Sequence, residues 1–131
     1  MPREEPEIVL ARQLANALTV PMFLVDTEGT LLFYNKPAEV VLGRRFEQTG
    51  EMSAAVWSRI FFPVDESGNP LEPGTLPLVV AVNEHRPSHG RLWISGIDNV
   101  RRHIEVVALP LIGQSDRNLG AIAIFWEVGG S

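Results

Sequence analysis

Apolar positions follow a helical period near the start of the chain, form two short runs after it, and alternate or run unbroken through its last third. Ile8, Ala11, Ala15 and Leu18 recur at helical spacing with Leu14 beside them, while Arg12, Gln13 and Asn16 fall largely on the other side. That pattern predicts an amphipathic helix, and Pro21 blocks its extension past the preceding residues. Met22–Val25 and Leu31–Tyr34 are apolar runs rich in branched and aromatic residues, parted by Asp26-Thr27-Glu28-Gly29. An apolar run on each side of a glycine-containing turn predicts a β-hairpin. Asp26 can fold its carboxylate onto turn amides, and Gly29 can supply a positive φ. Asn35 is a favoured helix N-cap, and Pro37 suits a first helical turn. Residues 38–42 then read as a short helix that Gly43 is placed to end.

Residues 44–50 are polar and loop-like. Met52, Ala55, Val56, Trp57 and Ile60 give residues 52–62 a helical pattern, which Phe61-Phe62-Pro63 ends. Residues 64–74 mix glycine, asparagine and proline and read as a loop. Thr75 is a candidate N-cap, with Pro77 early in a helix over residues 76–85 whose β-branched members need support from packing. Residues 91–97 alternate Leu92 and Ile94 with Arg91, Trp93 and Ser95, and Asp98-Asn99 is a turn pair. Residues 102–112 alternate early and become apolar on both sides toward Leu109. After a loop at 113–118, residues 119–128 are almost wholly apolar through Trp126, as a central strand covered on both faces would be. Helix, two strands, several short helices and three long strands predict an α+β domain. It has one five-stranded antiparallel sheet, short helices on one face and an N-terminal flanking helix.

A length of 131 residues suits one domain. The expected division is a flexible stretch at 1–7, the flanking helix at 8–20, the domain at 21–128 and a tail at 129–131. A hydrophobic fraction of 45% with 21% charged residues supports a core and argues against wholesale disorder. The net charge of −5 argues against non-specific nucleic-acid binding and against an anionic membrane surface. With no cysteine in the chain, disulfides, thiolate nucleophiles and cysteine metal sites are excluded. The first residues, MPREEPE, lack a basic segment followed by an apolar one, so no signal peptide is expected. No apolar run is long enough to span a membrane, and a cytoplasmic location is the expectation.

The candidate chemistry is sparse. Glu4, Glu5, Glu7, Asp65 and Glu66 sit in polar, proline- or glycine-rich contexts that suit solvated surface better than acid–base catalysis. None of Ser53, Ser58, Ser67, Ser88, Ser95 and Ser115 has the glycine-flanked setting of a nucleophile elbow, and no glycine-rich phosphate loop is present. His85 and His89 lack a third zinc ligand nearby. No catalytic constellation emerges, and the chain is expected to be non-enzymatic.

The strand ending in Val25-Asp26, the Glu28-Gly29 turn, the strand ending in Tyr34-Asn35 and the Pro37-Ala38-Glu39…Leu42-Gly43 helix together resemble the opening of a PAS domain, a sensory α/β module. The element order extends the resemblance across nearly the whole chain. Leu109-Pro110-Leu111, the loop at 114–118 and Leu119-Gly120-Ala121-Ile122 are similar to the final hairpin of such domains. Where they often close on an acidic-apolar-hydroxyl exit motif, Glu127-Val128-Gly129 stands, with the acid changed and the hydroxyl missing. That departure speaks against a normal signalling helix after it, and because the chain stops at Gly129-Gly130-Ser131 it is expected to be a piece of a longer protein.

The resemblance implies a sensory or regulatory domain that controls an attached or partner signalling protein. For some members it also implies a small-molecule cavity between the sheet and the short helices. Strand parity and helix face select Phe23, Val25, Tyr34, Trp57, Leu78, Val82, Ile94, Val106, Ile122 and Ile124 as its candidate lining. The alternative is that these aromatics and aliphatics simply fill a core. Any ligand would be largely apolar, with one hydrogen bond from Tyr34 or the Trp57 indole. The flanking helix often mediates dimerisation in PAS domains, which makes Leu10, Leu14, Ala17 and Leu18 candidate dimer residues and a homodimer the expected state. No cofactor is expected. Haem through His85 is the alternative, because haem-binding relatives use a histidine on the corresponding helix. The competing reading is a constitutive dimerisation module with a filled core and no ligand. A small enzyme of related α+β type would need a buried acid facing the cavity. Glu105 is the only strand carboxylate flanked by apolar residues, and it alternates as a solvent-facing one.

Overall fold

The protein is described here by a computed structural model covering residues 6–94 and 101–128. Helix α1 (Pro6–Ala17) leads into the hairpin of β1 (Met22–Val25) and β2 (Leu31–Tyr34). Four short helices follow: α2 (Lys36–Leu42), α3 (Phe46–Thr49), α4 (Ala54–Phe61) and α5 (Pro77–Glu84). Three longer strands complete the chain: β3 (Ser88–Ile94), β4 (Arg102–Ile112) and β5 (Asn118–Glu127). All pairings are antiparallel, in the order β2-β1-β5-β4-β3, so the first strand lies against the last. The predicted α+β class and five-stranded sheet are what the chain forms. The stretch 1–5, the turn pair Asp98-Asn99, the strand continuation at 95–97 and the tail 129–131 lie outside the described residues.

The hairpin turn closes as its residues dictate. Asp26 Oδ1 accepts the Glu28 and Thr30 amides at 2.9 and 3.0 Å, and Gly29 takes φ 82°. The register then slips: Leu24 opposes Phe33, but Val25 opposes Leu31. Leu32 is the extra residue of this bulge. Leu31 and Tyr34 consequently both join the inner core, while Leu32 and Phe33 pack with α1.

Asn35 is the one buried polar side chain among the described residues, and its carboxamide is fully used. Oδ1 accepts the amides of Met22 at 3.0 Å and Ala38 at 3.2 Å, and Nδ2 donates to the carbonyls of Ala15 and Val20, each at 2.9 Å. The predicted N-cap of α2 therefore also fastens the end of α1 to the start of β1. Gly43 ends α2 in the left-handed conformation at φ 79°.

Three local expectations change. Residues 46–49 of the expected loop form the single turn α3, held by Gln48 Oε1 on the Arg45 amide at 3.2 Å and Glu39 Oε2 on the Phe46 amide at 2.9 Å. Thr75 does not cap α5. It belongs to a 3₁₀ turn in which its hydroxyl donates to Glu72 O at 2.7 Å, and Leu76 takes the cap position. Part of the loop at 64–74 also joins the sheet region, since Val64 bridges to Pro70 and to Trp93.

The sheet separates two clusters. On its inner face Phe23, Val25, Leu92, Ile94, Ile104, Val106, Ala108, Ala121, Ala123 and Phe125 pack under the short helices. On its outer face Ile8 and Ala11 of α1 pack with Leu24, Leu119, Leu32, Phe33, Leu111 and Ile122. Gly120 brings β5 tight against the hairpin. Its φ is 136°, and a Cβ there would stand 2.0 Å from Val25 O. Among the described residues no helix is long and apolar enough to cross a membrane.

Candidate functional site

Two hollows open between the inner face of the sheet and the helices, and Trp57 and Leu78 belong to the walls of both. Ser53 starts α4 by accepting the Val56 amide at 3.4 Å, which places Trp57 one turn in and facing the core. Its indole donates to Gly29 O at 2.8 Å, tying α4 to the hairpin turn. Pro77, pre-set for a first helical turn, starts α5 so that Leu78 and Val82 face inward.

The inner hollow, about 60 Å³, is lined by Phe23, Trp57, Pro63, Leu76, Pro77, Leu78, Leu92, Ile94, Ile104, Val106, Ala123 and Phe125. Every one is apolar apart from the indole N–H of Trp57, which is already hydrogen-bonded. The outer hollow, about 220 Å³, has a floor of Val25, Ala54, Trp57, Leu78, Val79 and Val82 under the hairpin turn. Its rim carries Thr27, Glu28, Gly29 and Asn83.

Of the expected lining, Phe23, Trp57, Leu78, Ile94 and Val106 meet at the inner hollow, and Val25, Val82, Trp57 and Leu78 at the outer. Tyr34 lines neither. It is buried beyond Phe23 in a set of edge-to-face rings with Phe23 and Phe46, at centroid distances of 6.0 and 5.3 Å. Its hydroxyl donates to Arg44 O at 3.1 Å and shares a bond with Thr49 Oγ1 at 2.9 Å, so its one proton is committed within the fold. Burial, opposed by the Thr49 bond, pushes its phenol above the ordinary value. Ile122 and Ile124 are corrected outright. β5 turns Ala121, Ala123 and Phe125 inward, and the two isoleucines face the other side of the sheet, where Ile122 meets the α1 cluster. A strand apolar on both faces gives parity no handle. The same reversal hides Ala123 and Phe125 in the sequence, whereas Leu92 and Ile104 follow by alternation from Ile94 and Val106. The rim residues Thr27, Glu28 and Asn83 carried no signal beyond their turn and helix-end positions.

His85 is exposed at the left-handed cap of α5, φ 56°, and lines neither hollow. Among the described residues no group of three or more histidines or acids could hold a metal ion. Glu105, the acid an enzymatic reading needs, lies on the outer face. His89 hydrogen-bonds its carboxylate and Arg91 approaches it at 3.6 Å. The His89 bond above all, helped by the Arg91 charge, holds the Glu105 carboxyl below its ordinary value.

The outer face also carries exposed apolar groups. On α1, Leu10 is 62% and Leu14 53% exposed, because Ile8, Ala11 and Ala15 take the inward side. Ala17 is exposed, and Leu18 is half-buried just past the helix end. On the sheet, Leu109 and Trp126 are exposed as well.

Neither the protein-family models nor the curated proteins contain a match to this sequence. Solved structures do match its fold. The LOV protein of Rhodobacter sphaeroides superposes with a TM-score of 0.75 at 17% identity, over 98% of this chain and 70% of that one. The PAS domain of nitrogen regulation protein NR(II) from Vibrio parahaemolyticus superposes at 0.66 with 15% identity, over 91% of this chain and 98% of that one. The chain has the PAS fold. The light-state dimer of the fungal blue-light photoreceptor Vivid matches at 0.66 with 9% identity, over 97% of each chain. Identities this low carry the fold and no more. Both hollows lie between the inner face of the sheet and the short helices.

Proposed function

We propose that this PAS-fold chain is a sensory or regulatory module that takes up a small, largely apolar ligand and thereby controls an attached or partner signalling protein. The observation that carries the reading is the pair of hollows, about 60 and 220 Å³, that share Trp57 and Leu78 and have apolar floors in which the one indole N–H is already hydrogen-bonded. Such a surface favours an uncharged apolar body and disfavours anything with a buried charge. Ligand binding would shift packing between α4, α5 and the sheet, by as much as its affinity differs between the two arrangements. Native mass spectrometry of the protein as purified, joined to NMR titration with hexan-1-ol as a generic apolar probe, tests it. A bound small molecule, or saturable shifts at Leu78 and Ile94, supports the reading. An empty protein unmoved by the alcohol leaves the filled-core dimerisation module in its place.

A second reading, homodimerisation, is favoured by Leu10 and Leu14, which expose most of their side chains on α1 next to the apolar outer sheet. Ala17 and Leu18 extend that stripe. Vivid, one of the matched folds, is itself a dimer in its light state. Sedimentation of the double variant Leu10→Glu, Leu14→Glu checks this. A native dimer that becomes monomeric supports it, and an unchanged state removes α1 from the interface.

A further inference from the structure

We propose that the ligand carries a cationic amine head, which sits at the rim of the outer hollow against Glu28 and Asn83 while its apolar body lies on Trp57 and Leu78. The inference rests on the ligand reading above and specifies what that ligand is. At about 220 Å³ the outer hollow is the roomier of the two. An apolar cavity of about 150 Å³ already takes up benzene, so a short alkyl or aryl body fits. The floor is apolar and the rim is not, which orients any amphipathic guest with its head outward.

The chemistry of the head follows from three features of that rim. Glu28 is its only charged side chain, and its carboxylate makes no ion pair or hydrogen bond among the described residues. Among the described residues the Asn83 carboxamide and the Thr27 hydroxyl likewise make no side-chain hydrogen bond, and both offer acceptor oxygens. Val82 and Asn83 belong to the last turn of α5, which ends at Glu84, so the negative end of the helix dipole lies at the same rim. An ammonium satisfies all three. A carboxylate guest meets repulsion from Glu28 and from the helix end, and a neutral alcohol can donate one hydrogen bond there but gains no charge attraction. The hairpin turn that carries Glu28 is fixed by Asp26, whose own carboxylate is occupied by the Glu28 and Thr30 amides. The head group is therefore held by a rigid element and not by a mobile loop.

The test titrates the full chain with hexan-1-amine, hexan-1-ol and hexanoate at low ionic strength. The Gly29 amide and the Trp57 indole N–H are followed by NMR. The amine is expected to bind about three- to fivefold tighter than the alcohol, the scale of a partly exposed ion pair, with hexanoate weakest. In Glu28→Gln the amine keeps only the smaller advantage that Asn83 and the helix end supply, under about twofold, while the alcohol is unaffected. Equal affinities for amine and alcohol in the native protein, or a preference that is undiminished in Glu28→Gln, overturns the amine head and leaves the ligand reading standing. Silence of both reporters with all three probes overturns the proposal together with the ligand reading of this hollow.

Discussion

Replacing Asn35 by alanine removes four hydrogen bonds that join three elements at one buried point. The bond to Ala38 N–H is a helix cap, worth about 1 kcal/mol. The bonds to Met22 N–H, Ala15 O and Val20 O contribute about 1 kcal/mol each, because none of these backbone groups gains water when the carboxamide goes. The total is about 4 kcal/mol, a large share of the roughly 5–15 kcal/mol that holds a domain folded. At this size it lowers the melting temperature by roughly 12–20 °C. Thermal and urea unfolding followed by circular dichroism give the number. Amide exchange gives the location: protection should fall first along α1, whose end is tied to the hairpin through Nδ2. Asn35→Asp sharpens the case. It keeps both acceptor bonds but turns two donors into an anion facing two carbonyls, so it should be at least as unstable at neutral pH. Acidification should rescue it in part, as the carboxyl regains a proton to donate. A loss under about 1 kcal/mol in Asn35→Ala, or unchanged exchange in α1, refutes this account of the hub.

Gly120→Ala should prevent stable folding, because its Cβ would stand 2.0 Å from Val25 O, whereas Gly68→Ala, with φ 88° and open space, costs only about 1 kcal/mol. Equal losses in the two variants by urea unfolding would show that the hairpin shifts to make room. Phe62 caps α4 in the left-handed region at φ 44° with half of its surface exposed. Phe62→Gly should therefore raise stability by about 0.5 kcal/mol after the entropy of the unfolded glycine is counted. A melting temperature that drops would mean the ring packs more than its exposure indicates. Glu105 is held below its ordinary value of 4.5, so its pairing with His89 and Arg91 stabilises the fold above that value and is lost as pH falls through the lower folded one. Glu105→Gln should be less stable than the native protein at neutral pH, with the gap closing as acid is added. A gap that stays constant with pH contradicts the assignment.

The parts legible in the sequence are those with local chemical punctuation. Asp26, Gly29, Asn35, Pro37 and Gly43 mark the hairpin and α2, and both elements sit where those residues put them. Alternation in β3 and β4 identified Ile94 and Val106 as inward-facing. The bulge at Leu32 left no mark, because a register slip depends on the partner strand. The parity of β5 is hidden in the sequence for a related reason. α1 covers the outer face, so Ile122 on that side is as apolar as Phe125 on the other. The Tyr34 hydroxyl is occupied by Arg44 and Thr49, a pairing across a turn that no spacing rule reveals. The outer hollow lies between a hairpin turn and the end of a helix far along the chain, and its rim exists only after the tertiary fold has formed.

The central place of β1 against β5 bears on how the chain reaches this state. Met22 pairs with Ile124 and Val25 with Ala121, so the middle of the sheet joins the two most distant strands in sequence. The β1–β2 hairpin and the β3–β4–β5 meander can each form by local search, but neither is a sheet with a covered face until they meet. The two halves should therefore fold slowly as one cooperative unit, with the closing step gated by the approach of Gly120 to the Val25 carbonyl. A chain emerging progressively from synthesis would hold β1 with an unpaired edge until its final strand arrived. That waiting edge is where aggregation would begin.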